Sequence, residues 1–129
     1  MATITKFEDL TIWKEARIYC QKVHFITEIE PFKRDYKFKN QIESSSGSIM
    51  DNIAEGFGRG GKKEFHQFLS IANGSCSESK SQLYRALDFE YLNQEHFEEL
   101  KTMNEDIHKM INGLMKYLRN SDNKGTKYN

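Results

Sequence analysis

The chain has 129 residues, 37% of them hydrophobic and 29% charged, and its 19 basic side chains balance 19 acidic ones. A single domain of this size hides roughly two-thirds of the surface its unfolded chain exposes, enough for a core without disulfides. Zero net charge excludes a global field that draws the protein to nucleic acid or membrane; no apolar run approaches the ~20 residues of a membrane span, and no basic-then-apolar signal opens the chain, so the expected location is cytoplasmic.

The lone proline, Pro31, leaves long uninterrupted stretches, as helices require. The first predicted helix runs from about Asp9 to Glu28, with Ile12, Trp13, Ala16, Tyr19, Cys20, Val23 and Ile26 at three- and four-residue steps. Pro31 ends it, because the residue before a proline is steered out of helical geometry. Lys33, Arg34 and Asp35 follow in a loop, and Asp35 is placed to cap the next helix.

The second helix, about Tyr36 to Phe57, aligns Phe38, Ile42, Ser45, Ile49, Ile53 and Phe57. Its middle, Ser44 to Ser48, holds only serine and glycine, which let another helix approach closely. Gly56, Gly58, Gly60 and Gly61 close this helix and make the turn. The third helix, about Lys62 to Glu90, has an inner face of Phe65, Phe68, Leu69, Ala72, Cys76, Ser79, Leu83, Ala86 and Leu87, interrupted by Gly74-Ser75. Cys20 and Cys76 both fall in apolar stripes, which favours buried thiols over a bridge.

Asn93 is a good N-cap for the fourth helix, with Glu95 near the positive end of its dipole. Phe97, Leu100, Asn104, Ile107, Ile111, Leu114 and Leu118 form one row; Met103, Met110 and Tyr117 form a second beside it. A face that wide either wedges between two neighbours or turns its second row to another subunit, which makes Met103, Met110 and Tyr117 candidate oligomer contacts. No stretch alternates as a strand does. The expected fold is all-α: an antiparallel up-down-up-down four-helix bundle over residues 1–120, with a polar, fraying tail at 121–129.

The glycines of the turn satisfy G-x-G-x-x-G and, with Lys62, most of a P-loop. Both motifs need a strand to deliver the chain to the turn, and here a helical pattern precedes it. Lys63 also stands where a P-loop carries its magnesium-binding hydroxyl. Glu105-x-x-His108 is half of a di-iron signature without its second pair, and Ser77-x-x-Lys80 lacks the companion motifs of an acylase. Neither points to catalysis, a metal or a cofactor.

Charge is uneven along the chain. Residues 33–63 hold seven basic side chains against four acidic ones, and residues 88–106 hold seven acidic against one basic. Lys33, Arg34, Lys37, Lys39, Arg59, Lys62 and Lys63 are therefore the candidate phosphate contacts, with a solvated loop as the plain alternative. Asn52, Glu55, Gly56, Arg59 and Glu78 form a polar set read as structural first; Glu55 and Arg59 have helical ion-pair spacing.

Gln41, Ser48-Ile49, Asn52-Ile53-Ala54-Glu55-Gly56, Arg59, Phe68-Leu69-x-x-Ala72-x-Gly74-Ser75-x-x-Glu78 and Asp9-Leu10-x-x-Trp13 together resemble the bacterial 23S rRNA intervening-sequence protein family over most of residues 7–118. The resemblance implies an antiparallel four-helix bundle that assembles as a ring-like homopentamer, with no known catalytic activity. It also implies kinship with a basic pentameric accessory protein of diversity-generating retroelements that partners reverse transcriptase and nucleic acid. Two positions often basic in the family are Glu43 and Ser44 here. The expected function is a non-enzymatic homo-oligomer that binds RNA or a ribonucleoprotein weakly; the alternative is an oligomeric protein–protein adaptor. Neither reading includes a membrane or a small-molecule substrate.

Overall fold

A computed structural model describes residues 3–121; the remainder of the expected tail, 122–129, lies outside the described residues. Four helices follow one another: α1 Thr11–Thr27, α2 Tyr36–Gly58, α3 Lys62–Asp88 and α4 Gln94–Asn120. Short 3-10 turns at Phe7–Asp9 and Phe32–Arg34 precede α1 and α2, and there is no strand among the described residues. The caps follow from local chemistry. The Asp35 carboxylate accepts the Phe38 N–H at 3.2 Å, and the Asn93 side chain accepts the His96 N–H at 2.7 Å.

Boundaries differ from the periodicity by a residue or two. α1 begins at Thr11 because Leu10 N–H turns back to the Phe7 carbonyl and Leu10 is fully buried. Gly56 and Gly58 lie inside α2 rather than in the turn; the chain breaks at Gly60, whose φ of +86° suits glycine. Gly74-Ser75 does not interrupt α3, which runs unbroken to Asp88, and Glu90 then takes a left-handed φ of 62°. Packing along its whole length holds α3 together where propensity alone is weak.

Each helix packs on its neighbour in sequence, and α4 closes against α1. Pairing runs antiparallel. On α1 and α4, Tyr19 meets Asn104 and Lys22 meets Glu99; on α2 and α3, Gln41 meets Arg85 and Ser48 meets Ser75. The core is continuous, from Leu10 and Ile53 through Ile49, Leu69 and Ile111 to Phe32 and Leu100. Aromatic rings cap one end, where Phe32 stacks on Tyr91 at 4.9 Å and lies 5.1 Å from Phe38.

Three polar residues of the inner rows are buried and bonded across helices. Tyr19 Oη and Ser79 Oγ are 2.6 Å apart, Asn104 Nδ2 donates to Tyr19 Oη at 3.2 Å and to the Cys76 carbonyl at 2.9 Å, and Cys76 Sγ donates to the Asn104 carbonyl at 3.4 Å. The third, Ser45, donates to Gln82 Oε1 at 2.5 Å. A buried group without such a partner costs about 1–3 kcal/mol, so these bonds specify which helices meet and in what register.

Burial pushes the Tyr19 hydroxyl up to about 12 and the Cys76 thiol up to about 11. Both pKa values are raised on folding, so the stability they lend is intact below the unfolded values near pH 9–10 and is lost as pH rises through 11–12. In an alkaline titration, Tyr19 is expected to ionise only as helical circular dichroism is lost. Ionisation of all six tyrosines before any loss of helix would contradict the burial assigned to Tyr19.

Candidate functional site

Most of the residues that carry the family resemblance lie on α2 and α3 and meet along the seam between them; Asp9, Leu10 and Trp13 lie apart, at the start of α1. Gln41 accepts from Arg85 at 3.4 Å, and Gln82, already bonded to Ser45, reaches Glu78 at 3.5 Å. Ser75 bonds Ser48 at 2.9 Å, and Asn52 Nδ2 donates to the Ser48 carbonyl and hydroxyl at 2.8 and 2.9 Å. Below Asn52, Gly56 brings the α2 backbone against Phe68: a Cβ at Gly56 would lie 2.5 Å from the Phe68 Cβ. Arg59 pairs with Glu55 at 2.7 Å and lies over the Phe68 ring at 5.0 Å. That ion pair is exposed on both sides, where such pairs contribute a few tenths of a kcal/mol. The seam is thus a ladder of small and polar contacts, and each rung is satisfied within the chain.

The candidate phosphate contacts are not one patch. Lys33, Arg34, Lys37 and Lys39 lie at the α1–α2 end, whereas Arg59, Lys62 and Lys63 lie at the opposite end, about 30 Å away along α2. Several are engaged. Arg34 pairs with Glu30 at 2.6 Å, Lys39 with Glu28 at 2.5 Å, and Arg59 with Glu55; Lys62 Nζ donates to the Ser121 carbonyl at 3.0 Å. The hydrogen bond between Lys39 and Glu28 holds the carboxyl low and the ammonium high, so both stay charged at neutral pH. Lys33, Lys37 and Lys63 make no ion pair among the described residues. Glu43, at a position often basic in the resembled family, bonds His24 instead.

Ser77, Lys80, Glu105 and His108, taken from two unrelated motifs, line one open groove of about 430 Å³ between α3 and α4. Its chemistry is that of an ion pair. Lys80 contacts Glu105 at 2.8 Å and Lys101 contacts it at 3.6 Å. The hydrogen bond to Glu105 raises the Lys80 pKa, so Lys80 keeps its proton and offers no base to Ser77. The same bond lowers the Glu105 pKa. No cluster of three His, Cys, Asp or Glu side chains suits a metal among the described residues. No helix among them is long and apolar enough to cross a membrane.

The α1–α4 face is different in kind. Lys22 on α1 and Glu99 on α4 meet there at 3.0 Å. On α1, Ile18 and Phe25 stand one turn either side of Lys22; on α4, Met103, Met110 and Tyr117 continue the row from Glu99. Met103 and Met110 are half-buried against the core, while Ile18, Phe25 and Tyr117 are 40, 63 and 44% exposed. A groove of about 300 Å³ opens there, with Phe25, Lys22, His96 and Glu99 in its lining. Sequence reading found the α4 row but missed Ile18 and Phe25. Their seven-residue spacing beside the buried α1 stripe is the signal that could have found them.

Among solved structures, a protein of unknown function from the S23 ribosomal protein family of Bacteroides thetaiotaomicron superimposes with a TM-score of 0.75 at 20% identity, covering 82% of this chain and 99% of that one. That likeness shows the shared four-helix fold. No curated protein shows significant sequence similarity to the chain. A family model described as "23S rRNA-intervening sequence protein" matches residues 8–113, nearly the whole bundle, and the chain therefore belongs to the 23S rRNA-intervening sequence protein family.

Proposed function

We propose that this is a non-enzymatic, cytoplasmic homo-oligomer, a pentamer by its family resemblance, that binds RNA or a ribonucleoprotein weakly and needs no cofactor, metal or small-molecule substrate. The observation that carries self-association is the α1–α4 face, where Ile18, Phe25 and Tyr117 stay exposed beside Met103 and Met110. Apolar rows of this kind gain when a second copy covers them. Weak RNA affinity follows from charge: the net charge is zero, and Arg34, Lys39 and Arg59 are neutralised by carboxylates. Repetition around an oligomer multiplies a weak site, because later contacts are intramolecular.

Light scattering on the purified protein tests the first part. The wild type is expected to be oligomeric, and a Phe25→Glu, Tyr117→Glu variant monomeric with unchanged circular dichroism, since both side chains project into solvent. A monomeric wild type at micromolar concentration sinks the assembly reading. Oligomers that persist in the variant place the interface elsewhere.

The adaptor reading has its own support, since large apolar side chains such as Ile71 and Tyr84 are exposed on α3 as well. Co-purification before and after nuclease separates the two. One protein partner retained after nuclease favours the adaptor, and loss of all partners favours RNA.

A further inference from the structure

We propose that the outer seam between α3 and α4, in the half of the bundle where α4 ends, binds the phosphate backbone of RNA, with Lys109, Lys116 and Arg119 as the phosphate contacts. This rests on the RNA reading above and adds where on the molecule RNA lies and which part of it is read.

Lys109, Lys116 and Arg119 are all exposed and follow one face of α4 over about 15 Å. Contacts across the seam fix that face toward α3. Arg119 Nη1 lies 3.1 Å from His66 Nε2, Asn73 Nδ2 donates to Asn112 Oδ1 at 3.0 Å, and Lys109 borders the groove of about 430 Å³ together with Ser77 and Lys80. None of the three cations has a carboxylate partner among the described residues. Between them stand the amides of Asn73 and Asn112 and the Ser77 hydroxyl rather than exposed aromatic rings. The seam therefore offers charge and hydrogen bonds to phosphate, and no surface on which a base stacks.

The charge balance here favours a polyanion. From Phe65 to Ser77 α3 carries no acidic residue, and from Ile107 to Asn120 α4 carries none either. The nearest acids lie around this stretch. Glu64 lies over Gly61 at the start of α3, and Glu78 turns to Gln82 on the α2 side. Glu105 is held by Lys80 and Lys101, and Asp106 is three and four residues from Met103 and Met110, on the α1 side of α4. With all four counted, residues 62–80 and 101–121 still hold seven basic side chains against four acidic ones. Residues 122–129 add two lysines and one aspartate. The apolar row proposed for self-association runs along the other side of α4, so assembly there leaves this seam open in every copy.

Fluorescence anisotropy of the full chain at low salt tests this with labelled RNA duplexes of two unrelated sequences and a labelled single-stranded RNA. Two variants remove the same charge from opposite ends of the molecule: Lys116→Gln with Arg119→Gln, and Lys33→Gln with Lys37→Gln. All four side chains are exposed, so both variants should keep the wild-type circular dichroism. The wild type is expected to bind the two duplexes alike, because phosphates carry no sequence. The Lys116, Arg119 variant is expected to bind them about tenfold more weakly, with a salt slope smaller by about 1.8, at 0.9 per phosphate. The Lys33, Lys37 variant should bind as the wild type does. A DNA duplex bound with the same loss in the Lys116, Arg119 variant also supports the site, since its charges read phosphate. Equal weakening by the two variants reports net charge rather than a place, and overturns the site. Wild-type affinity in the Lys116, Arg119 variant, or binding to the single strand alone, overturns it and leaves the RNA reading standing. No binding to any RNA probe removes both.

Discussion

Replacing Asn104 with alanine is expected to destabilise the bundle by about 3 kcal/mol. Asn104 is 1% exposed on the inner row of α4, and its Nδ2 joins Tyr19 on α1 to the Cys76 carbonyl on α3. Alanine opens a cavity at this junction and removes both donated bonds. The Tyr19 hydroxyl keeps Ser79 as a partner, which keeps the loss from growing further. Asn104→Leu preserves volume and isolates the polar part of the effect, and chemical denaturation measures both variants. A loss under about 1 kcal/mol for the alanine variant would show that the three-helix junction is not what holds α4 in register.

Gly56→Val is expected to cost about 3 kcal/mol, the upper end for overpacking. Added atoms meet the Phe68 Cβ at 2.5 Å and Phe65 Cδ1 at 3.1 Å, and the first of these is fixed to the α3 backbone. α2 and α3 must separate, which disturbs the Arg59 contact with the Phe68 ring. Gly74 gives the contrast. A Cβ there meets nothing within 4 Å, so Gly74→Ala should stabilise an isolated chain by about 0.5–1 kcal/mol through helix propensity alone. Thermal melts of the two variants should move in opposite directions. If Gly56→Val melts with the wild type, close approach at this point is not required.

The helices were legible because one face of each is apolar at a 3.6-residue period, and the caps at Asp35 and Asn93 are chemical signals within three residues of the bonds they make. Ser45, Ser79 and Asn104 also stood out as polar residues on apolar rows, yet their partners lie on other helices, 28 to 85 residues distant in the chain. Spacing along one helix carries no information about which side chain faces it across a core. The boundaries near Leu10, Gly58 and Asp88 were off for a related reason: glycine and short turns state what the backbone permits, and burial of Leu10 or packing of Phe68 against Gly56 selects among those options.

The sequence alone determined an all-α chain of four amphipathic helices in sequential antiparallel order, because local periodicity, caps and short connections leave few other arrangements. Only the tertiary structure decided how the charges and apolar residues share surfaces. It split one run of basic residues between two ends of a long helix, neutralised three of them with carboxylates, gathered the α2 and α3 parts of the family motif into one seam, and left Ile18 and Phe25 exposed on α1. Charge and exposure are properties of neighbours in space, and for helices that pack antiparallel those neighbours are seldom neighbours in the chain.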